Sequence, residues 1–221
     1  MPKLERLWFD IETVADYDAV LTLPDPKPHG GIKDPVKIEA DIEKKRVKQI
    51  EKAALDPHTG RICALGWATR PTNEPEAFIA RVDDEVSDAL EKELLTRFWD
   101  LLHYTEGRNV GWNSTRFDLP YIMIRSFALQ VPRPKTLASL AKYSSEPSTD
   151  LMGIISNWSW DGVKSLKWAA QRYGWPVATP EIDGSMIEQI NDAQLADYVK
   201  SDVGIVQGAY LDMHGYFFSH E

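Results

Sequence analysis

The chain has 221 residues and a mass of 25.1 kDa, with 34 acidic against 25 basic side chains, a formal charge of −9 and a pI near 5.1. At 43% hydrophobic and 27% charged residues it has the make-up of a soluble globular domain, long enough to bury a core and too apolar to be disordered. The single cysteine, Cys63, excludes a disulfide framework and a cysteine-based zinc site, and the acidity argues against binding nucleic acid through bulk charge. No apolar run approaches the ~20 residues of a membrane span. The opening M-P-K-L-E-R-L-W-F-D lacks the apolar core of a signal peptide. The expectation is a soluble protein of a reducing compartment, without a membrane partner.

Residues 4–11 (LERLWFDI) read as a strand. From about 24 to 57 the composition changes to five prolines, a Gly30-Gly31 pair and the charged stretch KIEADIEKKRVKQIEKAAL. Its apolar positions Ile38, Ile42, Ile50 and Leu55 are sparse, which predicts a mostly exposed helix inserted into a single domain spanning 1–221. Strands are expected at 61–69 and 76–82, then a helix over 85–102, where Val86, Leu90, Leu94, Phe98, Leu101 and Leu102 recur at helical spacing. A short strand, Asn109 to Trp112, leads to a helix starting at about Leu119, with Asp118 expected as its N-cap and Pro120 at an early helical position. After a Pro/Ser-rich loop at 131–149, helices are expected near 164–173, at 185–191 and over about 193–210. Early strands and late helices predict a mixed sheet with helices packed on it.

The candidate chemistry is carboxylate chemistry. Asp10 and Glu12, two apart on a strand, leave the same face. Close carboxylates repel and lose hydration when buried, so such a pair needs a cation or a shared proton. Chance alone yields about one D-x-E in this composition. Three occur, and Asp41/Glu43 and Asp83/Glu85 fall in charge-rich stretches expected to be solvated. Asp118 closes the run N-S-T-R-F-D at the end of a strand, where an N-cap role alone would explain it but where ligand sites of α/β folds also lie. Tyr198 and Asp202 share a helix face at i and i+4, bordering Leu195, Val199, Val203 and Val206. Four hard oxygen donors, with no cysteine cluster, suit Mg²⁺ or Mn²⁺.

The order of these motifs resembles a known family. F-D-I-E-T, G-W-N-S-T-R-F-D and Y-V-K-S-D are similar to the three motifs of DEDDy-type 3′–5′ exonucleases. Gly111 to Asn113 and Phe117 to Tyr121 resemble the exonuclease domain of family B DNA polymerases. Asp150-Leu151-Met152, Ser165-Leu166, the Gly174 region and Asp183-Gly184 resemble stand-alone exonucleases related to that domain, and the stretch with Lys33-Asp34-Pro35, Ala54-Leu55-Asp56-Pro57 and Gly60-Arg61 resembles a feature of phage-borne members. The resemblance implies an α/β fold of the ribonuclease H-like kind, a mixed five-stranded sheet flanked by helices with strand 1 central. In the branch with histidine in its last motif the spacing is H-x-x-x-x-D; His29 and Asp34 share it, but they precede the second motif and are read as a coincidence.

The resemblance further implies that Asp10, Glu12 and Asp202 hold one divalent ion and Asp10 with Asp118 a second, two per site. Two cations ~3.5–4 Å apart activate water and stabilise the leaving oxygen of an in-line displacement. Tyr198 would orient the attacking water, since a phenol with an ordinary pKa of ~10 is a poor base at neutral pH. The expected partner is the 3′ end of single-stranded DNA, or RNA, with replication or repair proteins beside it, in the cytoplasm of a bacterium or phage-infected cell. The expected product is a nucleoside 5′-monophosphate.

Substrate contacts are expected at Thr13, Trp112, Asn113 and Phe117. Trp112 has an equally simple reading as a core aromatic, and Trp158 with Trp160 reads as a core plug rather than a stacking platform. The lysines of the charged helix read as a solvated face, the alternative being phosphate contact. Three rivals stay open: an inactive binding module of the same fold, an acid/base enzyme such as a glycosidase, and an endonuclease. The first should lack a motif residue, and none is missing; the second leaves the third motif unexplained.

Overall fold

The computed structural model describes residues 5–83, 85–134, 140–141, 143–159, 162 and 164–218. The chain forms two compact units, one from Met1–Glu12 with Ile62–Glu221 and one from Thr13–Arg61. The sheet follows from strands β1 (Leu7–Ala15), β2 (Gly60–Ala68), β3 (Glu76–Ile79), β4 (Asn109–Gly111) and β5 (Ser148–Asp150), in the order β3-β2-β1-β4-β5. β1 is therefore central. It pairs parallel with β4 (Leu7 opposite Asn109), and β4 pairs parallel with β5, while β2 and β3 are antiparallel (Ala64 opposite Ile79).

Alternation along β1 divides the core. Leu7, Phe9 and Ile11 join one buried cluster with Leu94, Leu95 and Phe98 of α3 (Asp88–Tyr104) and Leu119 and Ile122 of α4 (Asp118–Ala128). Trp8 points the other way, into a cluster with Leu151 and Met152 of α5 (Leu151–Ile155), Ala169 and Ala170 of α6 (Leu166–Tyr173), and Val203 and Val206 of α7 (Asp192–Phe217). A mixed five-stranded sheet with helices on both faces and β1 in the middle is the ribonuclease H-like arrangement.

Three contacts fix the helices that carry the site. Gly66 of β2 lets α7 approach: a Cβ there would lie 2.8 Å from both the Val199 carbonyl oxygen and its Cγ2. Arg81, buried, donates to Asp192 Oδ1 at 2.6 Å, to the Ile187 carbonyl at 2.9 Å and to the Ile190 carbonyl, anchoring the start of α7. Glu91 of α3, fully buried, accepts from Arg125 Nε and Nη2 of α4 at 2.8 and 2.7 Å and from the Ile62 amide at 3.0 Å.

The Thr13–Arg61 unit, which includes residues 24–57, holds α1 (Tyr17–Leu21) and α2 (Pro35–Lys52). Asp34 caps α2 through the Val36 amide, Pro35 occupies its first turn, and no residue of α2 is buried. Arg46 to Asp25, and the Lys45 ammonium to the Lys27 carbonyl, tie the helix to the preceding loop.

Several expectations are corrected. β5 and α5 lie where a loop or nothing was expected: Ser148–Asp150 is too short and polar to show alternation, yet it is buried beside β4. The helix expected at 185–191 is only a 3-10 turn, Gly184–Met186; Asp183 caps it, and Arg81 takes the carbonyls of Ile187 and Ile190. Asp118 is the first residue of α4 rather than its cap, which is Phe117 with no side-chain hydrogen bond. Among the described residues, no helix is long and apolar enough to cross a membrane.

Candidate active site

Asp10 and Glu12 leave the face of β1 that carries Trp8, the face covered by α7. The Cys63 thiol donates to the Glu12 carbonyl at 3.4 Å, holding the strand at that point. On α7, Tyr198 and Asp202 are one turn apart and buried. Because Gly66 admits the helix so closely, one carboxylate oxygen each from Asp10, Glu12 and Asp202 lies within 4.8 Å of the others.

Asp118 arrives from the end of β4 by a tight turn. A Cβ on Gly111 would meet Ser114 Cβ at 2.6 Å, and Asn113 takes a left-handed φ of 62°, a conformation asparagine tolerates. Asp150, fully buried, clamps this turn: it accepts from the Asn113 amide at 3.0 Å, from the Thr115 amide and hydroxyl at 3.1 and 2.6 Å, and from the Gly153 amide at 3.0 Å. The Asp118 carboxylate in turn accepts from its own amide and from that of Ile11, the β1 residue between Asp10 and Glu12.

Four carboxylates in one place repel their own ionisation. Burial first, then the charges of Asp118, Glu12 and Asp202, holds Asp10 well above the usual carboxylate range. Burial, then Asp202 and Asp118, does the same to Glu12. Burial raises Asp118 to about 7, its backbone hydrogen bonds acting in opposition and the Asp150 charge adding to the rise. Burial lifts Asp202 to about 6 against the opposing pull of Lys167 and of the Tyr198 hydroxyl. Burial and the neighbouring carboxylates push the Tyr198 phenol up. Asp202 Oδ1 is buried with no hydrogen-bond partner among the described residues. A buried anion left unsatisfied costs several kcal/mol, on the order of the penalty relieved when a cation fills the place. The donor set is all hard oxygen, so it fits Mg²⁺ or Mn²⁺.

The other expected residues fall differently. Trp112 is 7% exposed, meets Trp175 edge-on at 6.1 Å and donates from its indole to the Lys164 carbonyl at 3.0 Å, so it is a core residue rather than a surface for a base. Phe117 is partly buried against the first core cluster, its ring 5.4 Å from that of Tyr121. Asn113 shapes the turn. Thr13 begins the other unit. Trp158 lies over Gly153, where a Cβ would meet its ring at 2.7 Å; Trp160 lies outside the described residues. Of the remaining D-x-E pairs, Asp41 and Glu43 pair with Lys45 and Arg46, and Asp83 and Glu85 are exposed.

Two residues of the site escaped the sequence reading. Asp150 belonged to a noted motif, but nothing in D-L-M shows that it braces the Asp118 turn. Lys167, in S-L-K-W-A-A, looks like any exposed helix lysine. Its ammonium lies 4.7 Å from the centre of the Tyr198 ring, donates to the Thr179 carbonyl at 2.9 Å, and is the cation that eases Glu12 and Asp202.

Among curated proteins none matches the chain. Residues 55–213 match a family described as a predicted 3′–5′ exonuclease related to the exonuclease domain of PolB, a span that includes Asp118, Tyr198 and Asp202. Asp10 and Glu12 precede it and join those residues through the central strand. With that span covering well over half of its length, the chain belongs to the family of predicted 3′–5′ exonucleases related to the PolB exonuclease domain.

Proposed function

We propose that this protein removes nucleotides one at a time from the 3′ end of single-stranded DNA as nucleoside 5′-monophosphates, in a site loaded with two Mg²⁺ or Mn²⁺ ions. The observation that carries this reading is the convergence of Asp10, Glu12 and Asp202, with an unpartnered oxygen on Asp202, beside Asp118. Asp10, Glu12 and Asp202 would hold one ion and Asp10 with Asp118 the other. When bound, such ions supply charge neutralisation at the phosphate and a more acidic water.

The protein's own groups do the rest. Tyr198, kept protonated by burial and by its acidic neighbours, can donate a hydrogen bond but is a poor acceptor of a proton, so it serves to hold the attacking water in line. Lys167 braces the Tyr198 ring and offsets the carboxylate charge before metal arrives. Asp150 fixes the turn that aims Asp118.

The test is a 5′-labelled single strand incubated with Mn²⁺ or Mg²⁺. A stepwise ladder that disappears with chelator and with Asp118→Ala is expected. Cleavage indifferent to a blocked 3′ end would show an endonuclease instead, and a ladder formed on RNA but not on DNA would refute the deoxy specificity.

A further inference from the structure

The Thr13–Arg61 unit carries nine acidic and nine basic side chains, so the whole formal charge of −9 resides in the other unit. Within it, Lys45, Lys48 and Lys52 stand at i, i+3 and i+7, along one stripe of α2. They line a concavity of about 460 Å³ whose other walls are Leu23, Pro26, Gln49, Asp56 and Thr59. Lys45 is engaged, bonding to the Lys27 carbonyl at 2.7 Å and to Asp41 at 2.8 Å. Lys48 and Lys52 are exposed and have no ion-pair partner among the described residues. The one carboxylate in the wall, Asp56, is exposed and accepts from the His58 amide at 2.9 Å, which leaves two free ammonium groups against one carboxylate. Arg46, outside this stripe, is paired with Asp25 and Glu43.

We infer that this concavity binds the sugar–phosphate backbone of a nucleic-acid strand, at phosphates other than the one cleaved. It combines what such a backbone needs: two uncommitted ammonium groups for phosphate oxygens, and Leu23 and Pro26 as an apolar wall for sugar. Charge complementarity favours this occupant. The unit with the carboxylate cluster carries the whole net negative charge, so a polyanion gains from a basic foothold in the balanced unit. The site rests on the exonuclease reading for its role, but it is read by binding alone.

The test measures binding of a 5′-labelled oligothymidylate to the full chain by fluorescence anisotropy against salt concentration. Ca²⁺ replaces Mn²⁺, and wild type is compared with the Lys48→Gln/Lys52→Gln double variant. Every phosphate of a single strand that is no longer neutralised should reduce the slope of log K against log salt by about 0.7, so a drop of roughly 1.4 is expected. Hydrolysis of a dinucleotide, too short to need a second foothold, should be unchanged. An unchanged slope would overturn the inference. Lysine-dependent binding by a protein that hydrolyses nothing would uphold this site and refute the exonuclease reading. Hydrolysis with an unchanged slope would do the reverse.

Discussion

Asp118 shows how a residue can be costly to the fold and still sit beside the carboxylate cluster. Its carboxyl is raised to about 7 by burial, against an unfolded value near 3.9. The folded state therefore binds the proton more tightly, so the stability it contributes is full below about pH 4 and is lost as pH rises through about 7. Asp118→Asn should then stabilise the metal-free protein at about pH 8 by at least ~1 kcal/mol, roughly 2–4 °C for a chain of this size, with little change near pH 4. Thermal unfolding at the two pH values checks this, and a destabilised variant at the higher pH would contradict it. Lys167 carries the opposite sign. Lys167→Met removes a positive charge from beside the carboxylate cluster, so on the proposed metal loading Mn²⁺ binding at about pH 8 should tighten roughly two- to fivefold while the metal-free protein loses stability. Calorimetry reads the first effect; weakened Mn²⁺ binding would mean that Lys167 merely props the helix.

At the scale of elements, the site depends on how closely α7 lies on the sheet. Gly66→Ala would drive a Cβ against the Val199 backbone, where a rigid helix has to move. The expected cost is about 1–3 kcal/mol, together with weaker Mn²⁺ binding as Asp202 draws away from Asp10 and Glu12. Gly204→Ala is the control: nothing lies within 4 Å of the added carbon, and alanine in a helix should stabilise by up to about 1 kcal/mol. Equal losses from both would contradict the close-approach argument. What could be read beforehand follows the same logic. The strand carrying Asp10 and Glu12 announces itself as a short apolar, aromatic run, and the long helix carrying Tyr198 and Asp202 through the spacing of Leu195, Val199, Val203 and Val206. β5 does not, because three buried residues, two of them hydroxylic and one an acid, have no period. Lys167 was invisible because its meaning comes from Tyr198 and Thr179, which lie far along the chain. Trp112 reads equally as platform or core until its indole is seen bonded to Lys164.

For the whole molecule, a charge of −9 first suggested a protein that avoids nucleic acid. Its distribution changes that reading: one unit is balanced and displays Lys48 and Lys52 to solvent, and the other concentrates carboxylates at a single buried place. The cluster is held partly protonated, with Asp118 raised to about 7 and Asp202 to about 6, and divalent cations would take the place of those protons. The most direct measurement is calorimetric titration of Mn²⁺ in buffers of different ionisation enthalpy at about pH 6.5, where metal binding to protonated ligands must release protons. Two bound ions with net proton release are expected, and both should be lost on Asp10→Ala. Mn²⁺ binding without proton release, or binding that survives Asp10→Ala, would contradict this.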